Sequence, residues 1–351
     1  MKILLDLTML RHPNCGLGQV AKNYGLYFQH HPIPNGDEVV LFVPKGWVGA
    51  FGENVSYLEA KDLYRWLPCM IPHWRQIDIW HSIHQLSAFQ PPKGIRHRVL
   101  TIHDLNFLHE KQGKKRLQFL HRLQNEVNHS EEIGFISGYA MQEAKQHLML
   151  PEETHLHKIY NGVEDTTAGA QEALDGLDKR RFWLCMGVVK EKKNLHVLLP
   201  MMQLLPDYQL VVAGDDSDGY AKWLRNEIKR QKVQNVILTG SVNDDQRRWL
   251  YGHCEGLLFP SKCEGFGLPV IEMMQWGKPV IASHETSLRE IGGTCACYFD
   301  DYTPEAMVER VKDCLAQFDA KKAEEEIQYA GKFTYQSNIE AYLKIYEQFR
   351  K

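Results

Sequence analysis

Short apolar runs, each followed by a longer amphipathic stretch, recur along most of this chain, and that rhythm restricts it to parallel α/β architecture. Lys2-Ile3-Leu4-Leu5-Asp6 reads as a first strand, followed by a loop over residues 10–18 and a helix over 20–30. Residues 39–43, 77–81, 98–102, 134–137 and 158–160 read as further short strands, with helices over 116–128 and 138–148 between them. A second set of strands follows over 182–186, 208–213, 236–239, 256–259 and 279–282. Residues 166–180 are small, polar and charged, and predict a linker between two domains, 1–165 and 181–332. The tail, 333–351, carries an aromatic amphipathic helix.

Size and composition agree with this division. The 351 residues suffice for two ordinary domains, and 44% hydrophobic residues can fill their cores. A net charge of −3 provides no global attraction for nucleic acid. Met1-Lys2 leads directly into a strand pattern, and the 8 cysteines read as free thiols of a reducing cytoplasm. Cys295-Ala296-Cys297 has no second paired-cysteine site, so core packing is expected there rather than metal. No apolar run reaches transmembrane length.

The most informative local stretch is Glu264-Gly265-Phe266-Gly267-Leu268-Pro269-Val270-Ile271-Glu272. Upstream, Gly256-Leu257-Leu258-Phe259 reads as a buried strand stopped by Pro260; downstream, a helix runs to Gly277. Glu264 therefore belongs to a loop after a strand, and Glu272 to the first turns of the next helix. In open α/β sheets, ligands bind at such loops. Glycines allow close backbone approach, helix amides attract anions, and carboxylates accept from sugar hydroxyls. The combination points to a ligand with hydroxyls and a phosphate.

This stretch resembles the EGFGLP…E signature of retaining GT-B glycosyltransferases of the family-4 (group 1) type. Other landmarks follow in order over about residues 1–345. Gly16-Leu17-Gly18 is similar to the family's N-terminal glycine loop, and His103-Asp104 to its histidine after a strand. Gly187-Val188-Val189-Lys190-Glu191-Lys192-Lys193-Asn194 resembles its basic segment, with Lys192 where arginine is usual and Glu191 where proline is usual. Lys158 to Glu164 and Gly277 to Ala282 match two further segments.

The resemblance implies a GT-B fold: two doubly wound Rossmann-like domains facing across a cleft, with the C-terminal helix crossing back to the first. It implies a metal-independent enzyme without cofactor that moves a hexose from a nucleotide-diphosphate sugar to a glycan or lipid-linked acceptor, with retention. His103 and Glu264 take the catalytic positions, Glu264 holding the donor sugar. Gly16, Gly18, Lys192 and Lys193 are expected at the diphosphate, and Phe266, Gly267 and Leu268 beside the sugar. Val242 is expected near the base and Glu272 on the ribose. His81, His84 and Asp104 are weaker candidates for acceptor contacts. From the family's common use, bacterial surface-polysaccharide assembly is expected, in the cytoplasm with peripheral contact at the inner face of the membrane.

Several rival readings remain open on the residues. A nucleotide-sugar-binding protein without turnover, and a GT-B epimerase or phosphorylase, would keep much of the same pattern. Gly16 to Ala21 formally matches the dinucleotide fingerprint, but its glycines lie well past the strand and no acidic residue ends the next one. Asp216-Ser217-Asp218 mimics a metal-binding DxD. Lys111, Lys114, Lys115, Arg116 and Arg122, with Trp66, Trp74 and Trp80 nearby in sequence, read either as a solvated helix or as a contact for anionic lipid headgroups or a lipid-linked diphosphate acceptor.

Overall fold

A computed structural model describes residues 1–13, 15–177 and 181–350. Residues 178–180 of the expected linker lie outside this set. The chain divides into two compact units, Met1–Gly162 with Phe333–Lys351, and Val163–Lys332.

The first unit holds a 7-stranded sheet of β1 (Lys2–Asp6), β2 (Glu38–Val43), β3 (Ser56–Glu59), β4 (Ile79–Ser82), β5 (His97–Ile102), β6 (Glu132–Phe135) and β7 (His155–Lys158). Its order is β3-β2-β1-β4-β5-β6-β7, and every pairing is parallel. Helices cover both faces, so central strands are apolar on both sides. Ile3, Leu4 and Leu5 of β1 are at most 1% exposed. The strand order reverses between β1 and β4.

The second unit holds a 6-stranded parallel sheet of β8 (Arg181–Met186), β9 (Tyr208–Ala213), β10 (Val236–Gly240), β11 (Leu257–Phe259), β12 (Val280–Ser283) and β13 (Cys297–Phe299). Its order, β10-β9-β8-β11-β12-β13, reverses between β8 and β11. Ligand crevices form at the carboxyl ends of strands flanking such a reversal.

Strands β3 and β13 were not legible in the sequence; both are short edge strands, and β3 is half-buried throughout. β6 and β7 begin earlier than their apolar residues suggest. Glu132 enters the buried β6 because His155 Nδ1 and His157 Nε2 of β7 hydrogen-bond its carboxylate at 2.8 and 2.5 Å.

The C-terminal helix, Tyr335–Gln348, completes the first unit. Its Asn338, Tyr342 and Tyr346 fall on one face at a spacing of four residues. Asn338 accepts from Tyr24 Oη and donates to the Tyr160 carbonyl, both at 2.7 Å. Tyr342 Oη lies 2.6 Å from Thr101 Oγ1. A Cβ added at Gly134 on β6 would come within 2.1 Å of that tyrosine oxygen, so only glycine lets the helix approach. His81 is fully buried in this layer, with Nδ1 on Tyr346 Oη at 2.5 Å and Nε2 on Thr101 Oγ1 at 2.8 Å. Both ring nitrogens are satisfied internally, which removes His81 from the candidates for acceptor contact.

Candidate active site

The loop after β11 is fixed from several sides. Lys262 N donates to the Lys192 carbonyl at 2.8 Å, and Glu264 N to Thr286 Oγ1 at 3.0 Å. Ser287 Oγ lies between the carbonyls of Glu264 and Phe266, at 2.9 and 3.1 Å. Gly267 turns the chain with φ at +102°, a left-handed conformation that suits glycine, and the helix Leu268–Gln275 begins beyond it. A Cβ at Gly267 would also meet Leu288 Cδ2 at 2.6 Å. Val270 N returns to the Gly267 carbonyl and Pro269 has no N–H, so Leu268 supplies the first amide of this helix.

Glu264 Oε1 accepts from Lys193 Nζ and from Ser261 Oγ, each at 2.6 Å. The Lys193 and Glu264 side chains are only 14% and 12% exposed, and Nζ stands 4.6 Å from the Phe259 ring centroid. The sequence assigned Lys193 and Glu264 to neighbouring parts of one ligand, and the fold brings them into contact. Cys185, Gly187, Lys193, Phe259 and Ser261 line a small recess at the ends of β8 and β11, where the strand order reverses. Gly187 and Gly214 have φ of +126° and +145°, and a Cβ at Gly214 would lie 2.1 Å from the Gly187 carbonyl oxygen. Lys192 and Lys193 sit on a short turn, Glu191–Lys193, closed by Asn194 in the left-handed region.

Glu272 lies on the helix Leu268–Gln275 and is 7% exposed. Tyr251 Oη donates to its Oε2 at 2.5 Å, and Arg247 Nη1 reaches Oε1 at 3.4 Å. Arg247 also binds Glu164 at 3.0 Å and Asp244 at 3.3 Å. Burial alone would lower the guanidinium's pKa; Glu272, Tyr251, Glu164 and Asp244 outweigh it and push it up. Burial pushes the Tyr251 phenol up too, reinforced by Glu272, so it acts as a donor. Sequence reasoning missed Arg247 and Tyr251. The signal was there: the helix Asp244–His253 opens with an Asn243–Gln246 capping box, and the two residues are four apart on one face. Val242, half-buried, immediately precedes that cap.

In the first unit the glycines are placed differently from the expected loop. The helix Gly16–His30 already begins at Gly16, so Gly16 and Gly18 form its first turn. Cys15 caps it, its Sγ accepting from Gly18 N at 3.4 Å. A Cβ at Gly18 would lie 2.0 Å from the His12 carbonyl oxygen, so glycine is needed there for packing of the preceding turn.

His103 follows β5 and is 5% exposed. Its Nε2 is 2.8 Å from the Ile83 carbonyl, which can only accept. Nε2 therefore carries the proton, and Nδ1 is an acceptor. Burial pushes its pKa down to about 4, so the ring is neutral near pH 7. His84, its ring 6.5 Å away, is pushed to about 3 by burial and by His103 and Arg122. Asp104 accepts from Asn106 N and Nδ2 at 2.9 and 2.8 Å, holding the turn before the next helix.

The DxD-like run has structural partners. Asp216 pairs with Arg225, and Asp218 caps the helix Gly219–Arg230 through Tyr220 N. Among the described residues, no group of three or more His, Cys, Asp or Glu side chains is disposed to hold a metal ion. No described helix is long and apolar enough to cross a membrane.

A parallel two-unit α/β chain with this loop is of the GT-B type, and comparison with known proteins agrees. The sequence family Glycosyl transferases group 1 matches residues 171–347. The chain belongs to that family and is a glycosyltransferase. It is 26% identical over 288 residues to O-antigen chain mannosyltransferase B of Escherichia coli, covering 75% of this chain and 74% of that one. The structure of Anabaena Alr3699/HepE in complex with UDP-glucose superposes with a TM-score of 0.73 at 18% identity, over 99% of this chain and 100% of that one. WaaG, a glycosyltransferase involved in lipopolysaccharide biosynthesis, gives 0.68 at 14% identity, over 98% and 99%.

Proposed function

We propose that this glycosyltransferase moves a hexose from a nucleotide-diphosphate sugar to a glycan or lipid-linked saccharide, with retention and without a metal ion. The observation that carries the reading is the convergence of Lys193, Glu264 and Ser261 beside the recess where the strand order reverses. A cation and a hydroxyl-binding carboxylate in contact suit a ligand whose phosphate and sugar are adjacent. Lys192, Lys193 and the amides near Gly16 stabilise the departing diphosphate, whose charge grows in the transition state, whereas the Gly18 amide is taken by Cys15 Sγ. Glu264 and the amides of Phe266, Gly267 and Leu268 hold the sugar, Glu272 the ribose, and the backbone at Val242 the base. His103 accepts a hydrogen bond from a sugar hydroxyl through Nδ1, and His84 and Asp104 lie toward the acceptor.

In this reaction the bond from the anomeric carbon to the phosphate oxygen breaks. The acceptor oxygen forms its bond on the same face, and its proton passes to the departing phosphate. The Escherichia coli O-antigen chain mannosyltransferase and the lipopolysaccharide role of WaaG support surface-polysaccharide synthesis; we place the enzyme at the cytoplasmic side with peripheral membrane contact. Screening UDP-, GDP- and ADP-sugars for thermal stabilisation identifies the donor. With it, the anomeric configuration of the product read by NMR is retained, and EDTA leaves the rate unchanged. An inverted product, or activity lost to EDTA and restored by manganese, defeats the reading.

A further inference from the structure

A groove between the segment after β3 and the helix Gly113–Asn128 has no part in the donor chemistry. It encloses about 510 Å³, within the range of small-molecule sites. Trp66 stands on its wall at 83% exposure, and Arg65, Gln90, His121, Arg122, Asn125 and Glu126 line most of the remainder. An exposed indole alone means little. Glu126, however, is only 7% exposed; Gln90 hydrogen-bonds its carboxyl group, yet its Oε1 has no hydrogen-bond partner among the described residues. Arg65 Nε is likewise buried without one. Buried polar atoms are nearly always paired, so these two atoms of the wall call for a polar partner.

The chemistry of the wall narrows the ligand. Two guanidinium groups and a carboxyl group select neither anion nor cation. An aromatic face beside amide and carboxyl groups matches a pyranose, which has apolar C–H faces and hydroxyls that both donate and accept. Burial pushes the Glu126 pKa up, which favours neutral hydroxyl partners over a cation. Leu63, Leu67 and Met70 near Trp66 in sequence are 48%, 45% and 54% exposed, and Lys114, Lys115 and Arg116 are exposed, a composition that also suits a lipid surface. A bilayer would cover projecting side chains but would not pair Glu126. Trp80, grouped with these residues in the sequence, is fully buried. Arg98, whose charge Glu126 feels, lies near the start of β5, roughly 16 Å along the strand from its end before His103, while Arg122 of the same groove acts on His84, whose ring is 6.5 Å from that of His103.

We propose that this groove is a saccharide subsite that holds a neutral pyranose unit of the acceptor away from its reacting end, with Trp66 as stacking platform and Gln90, Asn125 and Glu126 as hydroxyl partners. It rests on the glycan-acceptor reading above. The test uses the full chain, Trp66→Ala and Glu126→Gln, with α-mannotetraose, maltotetraose and chitotetraose as probes in saturation-transfer NMR. At least one probe binds the parent chain; Trp66→Ala weakens it about tenfold and Glu126→Gln about threefold. Thermal shifts with UDP and GDP stay unchanged in both variants. No binding of any probe, or equal binding by Trp66→Ala, overturns the proposal. So does unchanged saccharide binding with lost flotation on phosphatidylglycerol vesicles, which would make the surface a membrane contact. A parent chain that responds to neither nucleotide counts against the donor reading, while the saccharide arm still decides the groove.

Discussion

Glu264 and Glu272 share one loop and helix, but their surroundings divide their roles. Glu264 is held by a lysine and a serine at the end of a sheet reversal. Glu272 is tied to a buried tyrosine and to an arginine shared with Glu164 and Asp244. The first environment can exchange partners as a sugar diphosphate arrives, because Lys193 is attracted equally by phosphate. The second is a fixed cradle, which suits binding more than chemistry. Glu272→Ala should therefore weaken nucleoside diphosphate binding by about 1.5–3 kcal/mol, the usual size of a hydrogen bond to a charged group. Glu264→Ala should leave that affinity near normal and lower turnover. Calorimetric titration with nucleotide and single-turnover transfer separate the two effects; wild-type affinity and rate in both variants would remove the assignment.

At the scale of elements, the central strands were legible because parallel strands buried on both faces read as unbroken apolar runs. Lys2–Asp6 and Tyr208–Ala213 coincide with their apolar runs. The short edge strands Ser56–Glu59 and Cys297–Phe299 were hidden, whereas the edge strand Val236–Gly240 kept a legible apolar run. The first turn of the Gly16 helix was hidden for another reason: its cap is a cysteine, outside the residues that usually mark helix starts. The Glu264 loop was legible by position, but Arg247 and Tyr251 come from a different element, and only the fold brings them to Glu272. The final helix was legible as aromatic and amphipathic, while its dependence on Gly134 was not. Gly134→Ala should force Tyr342 away from β6 and cost about 1–3 kcal/mol of stability, as overpacking does. Urea unfolding measures this; an unchanged midpoint would show that the helix yields freely.

At the scale of the whole molecule, buried histidines couple stability to pH. His81, His84 and His103, all in the first unit, have pKa values pushed down from 6.5 to about 3, about 3 and about 4, chiefly by burial. Unfolding returns them to about 6.5, so below that pH the unfolded chain binds more protons than the folded one. Their contribution is fully present above pH 6.5 and is lost as pH falls toward 4 and then 3. Between pH 7.5 and 5 the loss should be about 2 kcal/mol per histidine. Urea midpoints at the two pH values should show it, and His81→Gln should flatten the profile by one histidine's share. A flat profile in the parent chain would mean that the rings charge without unfolding. The return of residues 333–351 to the first unit has a separate consequence for biosynthesis. A ribosome makes the first unit's sheet early, yet Tyr342 and Tyr346, which cover His81 and Thr101, are made only after the whole second unit. The contiguous second unit can fold during translation; the first must wait, its polar layer uncovered, until residues 333–351 emerge.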